Sequence, residues 1–434
     1  MHATELWRHW QALLAPCADA FTYPGFQRFT EWLTGLALND EAHTITQSLV
    51  GLGRPADWKA LESFAEYGVW DQDALEQASA ELLDTAPGRL WHGYHVWAGD
   101  DTKVHRSSKH VWGTCTFHEY TARCPNRAST VRAHNWVVVG ALVPRPRQPA
   151  WFLPHTARLY FRQSQLPPGE TFRTKCDLLV ELLHREAAAV QGEHLGVFDG
   201  AFAVKSVIRP LVHPPPGQPR VEFLTRLRGD ARLHRLPPEE RPAGRRGAWR
   251  KWGRRLPPPR CGGRWPGRWQ TGQAWLYGRW RQVRWKEVLC LWRVSGPSVL
   301  VKAVVAEVEG YRKRFTLVSS AHDLTGLQLL EIFAARFRQE DGFRDLKQRL
   351  GWEECRAWTK APILRTTRAQ LLVLSLLRLL QFRLEEAEGE SWWFHPPWNK
   401  RKARPSVLDL ERLLRGARPA IQQLLAEDLG TCPN

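Results

Sequence analysis

The sequence predicts an α/β fold: an acidic helical segment, then a basic strand-rich body broken by a β-rich insertion. Three observations carry this expectation. In residues 1–88 apolar side chains recur at three- and four-residue spacing, the period of helices that bury one face. From Leu90 onward, short strand-like runs alternate with amphipathic helical stretches. Residues 235–270 then lose regularity in Pro237-Pro238, Pro257-Pro258-Pro259 and Gly262-Gly263.

In chain order, helices are predicted over 5–14, 26–36, 44–50, 57–67 and 74–83. The stretch 44–50, the break Gly51-Leu52-Gly53 and the stretch 57–67 have helix-turn-helix spacing. Charge argues against groove binding there. Residues 1–88 hold 13 Asp and Glu against 4 Lys and Arg, a net of −9, and DNA binding usually needs phosphate neutralisation. A packing role is therefore expected for this head, a helical N-terminal domain over 1–88.

Strand-like runs follow at 90–98, ending in Gly99-Asp100-Asp101-Thr102, and at 135–142 and 157–161. Residues 172–191 read as an amphipathic helix with Leu178, Leu179, Leu182 and Leu183 on one side. The run 194–198 ends at Asp199-Gly200; a helix over 201–207 and a strand over 221–227 come next. Three strands, helix, strand, helix, strand is the order of a ribonuclease H-like core. That core is expected over 89–228 and 319–385, around a basic β-rich insertion at 229–318, with a basic tail at 386–434.

Composition narrows the partners. The chain of 434 residues carries a formal net charge of +18, so the body outside the head carries +27. A polyanion is the natural partner. No uncharged apolar run approaches the ~20 residues of a membrane span; the stretch 371–377 is short and meets Arg378, which suits a buried helix. No secretory signal is visible, and the eight cysteines include no CxxC pair. Free thiols in the cytoplasm, at the nucleoid, are expected. Cys115 and Cys124 lie near His110 and His118, but their spacing matches no common zinc pattern.

The chemistry-bearing stretch is a long helix expected around 336–349. Phe333, Arg336, Glu340 and Lys347 have offsets of 0, 3, 7 and 14. At about 100° per residue these fall within an arc of about 60°. One face thus presents an aromatic ring, a guanidinium, a carboxylate and an ammonium, a grouping suited to a cation flanked by phosphates. A solvated face of Arg–Glu and Glu–Lys pairs is the alternative reading of the same spacing.

This helix resembles the YREK signature of insertion-sequence DDE transposases, with Phe333 standing where that family has Tyr. Gly99-Asp100-Asp101-Thr102 resembles the segment bearing that family's first catalytic aspartate, and Val197-Phe198-Asp199-Gly200 the segment bearing its second. Lys109-His110-Val111-Trp112-Gly113 and Phe343-Arg344-Asp345-Leu346-Lys347-Gln348 extend the similarity. The resemblance implies catalytic and metal-binding Asp101, Asp199 and Glu340, and DNA-contacting Phe333, Arg336 and Lys347. Adjacent strand residues face opposite ways, so one of Asp100 and Asp101 enters the site. The resemblance favours Asp101, the acid directly before Thr.

Three carboxylates are hard oxygen ligands, suited to two Mg²⁺ or Mn²⁺ ions. The implied function is cut-and-paste transposition: cleavage of element ends at terminal inverted repeats and strand transfer into target DNA, by a dimer in the DNA complex. A non-catalytic DNA-binding derivative and a structure-selective nuclease on the same fold are the rival readings. Between Arg241 and Lys286 there is no acidic residue, and tryptophans recur among arginines. Such a surface can hold phosphate by charge and a base by stacking, although most of so many tryptophans must be structural.

Overall fold

The computed structural model describes residues 2–119, 129–145, 148–239, 247–389, 392–400, 402 and 404–430. The head forms α1 (Ala3–Leu14), α2 (Tyr23–Leu38), α3 (Ser48–Gly51), α4 (Trp58–Tyr67) and α5 (Gln72–Asp84). Four of the five follow the expected spacing. The stretch 44–50 yields only the single turn α3, so two full helices do not face each other across Gly51-Leu52-Gly53. Three-residue steps lead into it, Leu49 N to Thr46 O and Val50 N to Gln47 O (both 3.1 Å), and Gly53 at φ 70° follows the turn.

The body begins with β1 (Leu90–Trp91), β2 (Tyr94–His105), β3 (Cys115–His118), β4 (Thr130–Arg145) and β5 (Gln148–Tyr160). Then come α6 (Lys175–Ala189), β6 (Glu193–Phe198), α7 (Lys205–Val212) and β7 (Glu222–Arg226). The expected single strand over 90–98 is two strands, because His92 and Gly93 take φ of 52° and 90°. Left-handed conformation at both residues makes a tight hairpin turn. β2 also runs past the expected end, so the Asp100–Asp101 pair lies within the strand.

After β8 (Leu233–His234) come β9 (Gln270–Leu276), β10 (Arg279–Trp292), β11 (Leu300–Val308) and β12 (Phe315–Ser319). Helices α8 (Gly326–Ala335), α9 (Arg338–Gln348), α10 (Lys360–Glu388), α11 (Val407–Gly416) and α12 (Arg418–Gly430) close the chain. Among the described residues the twelve strands form one sheet. Its first part runs β5-β4-β2-β6-β7: β4 is antiparallel to β2 and to β5, while β2, β6 and β7 are parallel. This mixed sheet with flanking helices is compatible with a ribonuclease H-like core. The strands expected in a separate insertion instead continue the same sheet, since β12 pairs antiparallel with β7 (Val318 opposite Thr225) and leads on to β11 and β10.

Several tryptophans of this basic region are internal. Trp265, Trp285 and Trp292 are buried. The Arg284 guanidinium lies over the Trp269 ring at 4.9 Å, and that of Arg293 over Trp252 at 4.5 Å. Part of the arginine–tryptophan mixture is thus used in cation–π contacts within the protein. Trp280 is half-exposed.

The head is fastened to the body through α10, which packs against α1, α2, α4 and α5. Arg365 of α10 donates to the carbonyls of Phe64, Ala65 and Gly68 (3.2, 2.8 and 2.7 Å), capping the C-terminal end of α4. The buried Glu76 of α5 pairs with Arg158 (3.2 Å), Arg185 and Arg368. Acid on the head therefore meets base on the body in the packed interface. The apolar stretch 371–377 is buried within α10, and no helix among the described residues is long and apolar enough to cross a membrane.

Candidate active site

The two aspartate motifs meet at the centre of the sheet. β2 and β6 lie side by side, with Gly99 opposite Phe198 as the last paired position. The next residues along each strand are Asp100 and Asp199, and Asp199 keeps extended backbone angles (φ −71°, ψ 162°). Which face each side chain takes follows from the period of two. A Cβ built on Gly99 would strike Leu179 of α6, and one on Gly196 would approach Leu183 of the same helix. Gly99 and Gly196 thus face α6, so Asp101 faces α6 as well. Asp100 and Asp199 take the opposite face.

Side-chain contacts agree with this parity. Asp101 is bonded by the Lys175 ammonium at the start of α6 (2.6 Å). Asp100 accepts from Arg336 (2.9 Å), and the other guanidinium nitrogen lies 3.8 Å from a Glu340 oxygen. Two adjacent carboxylates therefore serve opposite sides of one strand. The expected first ligand, Asp101, is not the one brought towards Glu340; Asp100 is, because pleating turns only Asp100 to the α9 side. No ion pair or hydrogen bond of the Asp199 carboxylate is found among the described residues. Its loop is fixed through the backbone, where the Thr225 hydroxyl donates to the Asp199 carbonyl (3.2 Å).

Glu340 is positioned by its neighbours. Gln339, fully buried, donates to the Ala98 carbonyl (3.4 Å) and to the Val138 carbonyl (3.2 Å), stapling the start of α9 to β2 and β4. Gly342 lets α9 lie close to β5, since a Cβ there would come within 2.5 Å of the Phe152 ring. The expected unbroken helix is instead α8 and α9 joined at Arg336 and Phe337. There Phe337 N bonds Ala334 O, and Glu340 N bonds Phe337 O, a three-residue step that tightens the turn.

Arg336 and Lys347 reach groups on β2, while Phe333 and Glu340 each approach Arg336. Phe333 is half-buried, with the Arg336 guanidinium 5.8 Å from its ring centre. Lys347 donates to the Lys103 carbonyl on β2 (2.6 Å) and lies 3.7 Å from Glu353. Burial lowers the pKa of the Lys347 ammonium, and Glu353 opposes that shift. Glu340 keeps 51% of its side chain exposed. Burial pushes the Asp100 carboxyl up to about 6, although Arg336 pulls the other way.

Sequence reasoning missed Gln339 and Lys175; a lone glutamine and a lone lysine at helix starts carry no motif. Of the imagined zinc ligands, Cys124 lies outside the described residues. Cys115 is buried and accepts from the Arg162 amide (3.5 Å).

A family model described as DDE superfamily endonuclease matches residues 19–289, well over half of the chain. The chain belongs to the DDE superfamily endonucleases. No curated protein sequence matches it. Membership implies phosphodiester hydrolysis on a DNA substrate, in a family that uses divalent metals. The matched stretch of this DDE endonuclease contains Asp100, Asp101 and Asp199 and stops short of Glu340. Among the described residues no three His, Cys, Asp or Glu side chains stand close enough to hold an ion together. The donor chemistry nevertheless fits a hard cation: Asp100 and Asp199 share one face on neighbouring strands, and Glu340 approaches from α9 through Arg336.

Proposed function

We propose that this DDE endonuclease is a DNA transposase. It cleaves element ends and joins them to target DNA, with Asp100, Asp199 and Glu340 as its acidic triad. The observation that carries the reading is the Asp100–Arg336–Glu340 contact, made on the face that β6 gives to Asp199. Asp101 is assigned to α6 packing through Lys175.

Each residue has a distinct task in this reading. The three carboxylates would hold one or two Mg²⁺ or Mn²⁺ ions. When bound, such ions supply Lewis-acid activation of water and stabilisation of the leaving 3′ oxygen. Gln339 fixes the carboxylate-bearing turn against the sheet. Arg336 balances Asp100 in the free protein and is the cation nearest the scissile phosphate, which it contacts without reading sequence. Lys347 and Phe333 support the same face of the joined helices. Terminal inverted repeats and target DNA are the proposed substrates, with a dimer bringing two ends together.

Glu340→Gln tests this directly. The side chain is half-exposed, so the fold and DNA affinity should survive. Cleavage of a labelled element end in Mg²⁺ should fall roughly 10³-fold or more. Undiminished cleavage by the variant would remove Glu340 from the site. Cleavage by the parent protein without any joining to target DNA would favour a structure-selective nuclease instead.

A further inference from the structure

The helix that carries Glu340 has a second charged side. Arg338 and Arg349 stand about 160° and 180° around α9 from Glu340, at about 100° per residue. Together with Arg344, Arg378 of α10 and Arg404 they line a cavity of about 320 Å³ whose only other charged lining residues are Asp341 and Asp345. Five arginines against two aspartates leave a surplus of three positive charges.

The aspartates are already committed. Asp341 pairs with Arg338 (2.6 Å) and Arg344 (2.8 Å), and Asp345 with Arg378 (3.3 Å). No ion pair or hydrogen bond of the Arg349 or Arg404 side chain is found among the described residues. Arg378 keeps only 15% of its side chain exposed and stacks over Trp151 at 5.2 Å, so its guanidinium is held in place. Val407 and Leu408, the first residues of the ten-residue α11, open onto the same cavity.

We infer that this cavity is a second DNA-backbone site, in which Arg338, Arg349, Arg378 and Arg404 hold a phosphodiester on the side of α9 away from Glu340, with the exposed Arg344, only about 40° from Glu340, adding charge at its edge. The choice of DNA as the anion rests on the function proposed above. A single helix then separates the strand being cut from a second DNA segment, either the flank of the same end or the target.

The experiment compares Arg349→Gln/Arg404→Gln with the parent protein, because neither side chain is buried or ion-paired among the described residues and their loss leaves the core intact. Binding to a random-sequence duplex without an element end is measured against salt in EDTA. It therefore reads out even if no cleavage activity exists. Affinity should weaken roughly tenfold, and the slope of log K against log salt should become shallower by about 1.8. Arg8→Gln/Lys59→Gln, which removes the same charge from the exposed surface of the acidic head, should change the slope by less than half as much. An unchanged slope in the cavity variant, or an equal loss in the head variant, would overturn the assignment.

Discussion

Asp100 and Asp101 are neighbours in sequence and live in different environments. One faces α9, where burial raises its carboxyl to about 6 and Arg336 stands between it and Glu340. The other faces α6 and is bonded by a lysine. The difference teaches that, in a strand-borne site, the residue two positions away says more about a side chain's role than the residue beside it. Gly99, pressed against Leu179, marks the structural face and thereby assigns Asp101 to it.

The largest expected effect is at Asp199, which shares the Asp100 face: Asp199→Asn should lower cleavage in Mg²⁺ roughly 10³-fold or more, with DNA binding retained. Normal turnover would separate Asp199 from the site.

Next is a pH effect on stability. Because the folded pKa of Asp100 lies above its usual 3.8, ionising it costs the metal-free fold free energy. That cost is absent below about 4, grows between about 4 and 6, and is constant above. Urea unfolding in EDTA should therefore show Asp100→Asn gaining on the parent protein as pH rises through this window. The gain is up to about 2–3 kcal/mol, from a shift of about two units at 1.36 kcal/mol each. A pH-independent difference between the two would contradict the buried environment assigned to Asp100.

Gly99→Ala probes the other face. Its methyl group would meet Leu179 of α6, so a loss of about 1–3 kcal/mol in unfolding free energy is expected. The smallest effect is at Lys175. Its pair with Asp101 is partly solvated, and Lys175→Met should cost less than about 1 kcal/mol while leaving the cleavage rate within about twofold. A large loss of cleavage would return Asp101 to the catalytic side.

Much of the fold was legible from spacing alone. The helix–strand–helix–strand order after residue 172, the amphipathic helix carrying Leu178 to Leu183, and the position of Asp199 directly after a strand follow from period and order. What stayed hidden depends on through-space partners. Parity at Asp100 and Asp101 is set by contact with α6 and α9, which no local pattern contains. The union of β12 with β7 is a long-range pairing, so the insertion read as separate although its strands extend the core sheet. The stretch after Thr44 closes in three-residue turns, which apolar spacing alone does not distinguish from a helix. The acidic head looked like a misfit beside a basic body until Glu76 was seen among Arg158, Arg185 and Arg368.

The most direct test of the triad sets Asp100→Asn beside Asp101→Asn in one assay, cleavage of a labelled element end in Mg²⁺. With Asp100 on the Glu340 face, Asp100→Asn should lose roughly 10³-fold or more, and Asp101→Asn should stay within about tenfold of the parent protein, as for a side chain that acts only through packing and a partly solvated ion pair. The reverse ranking would contradict the account.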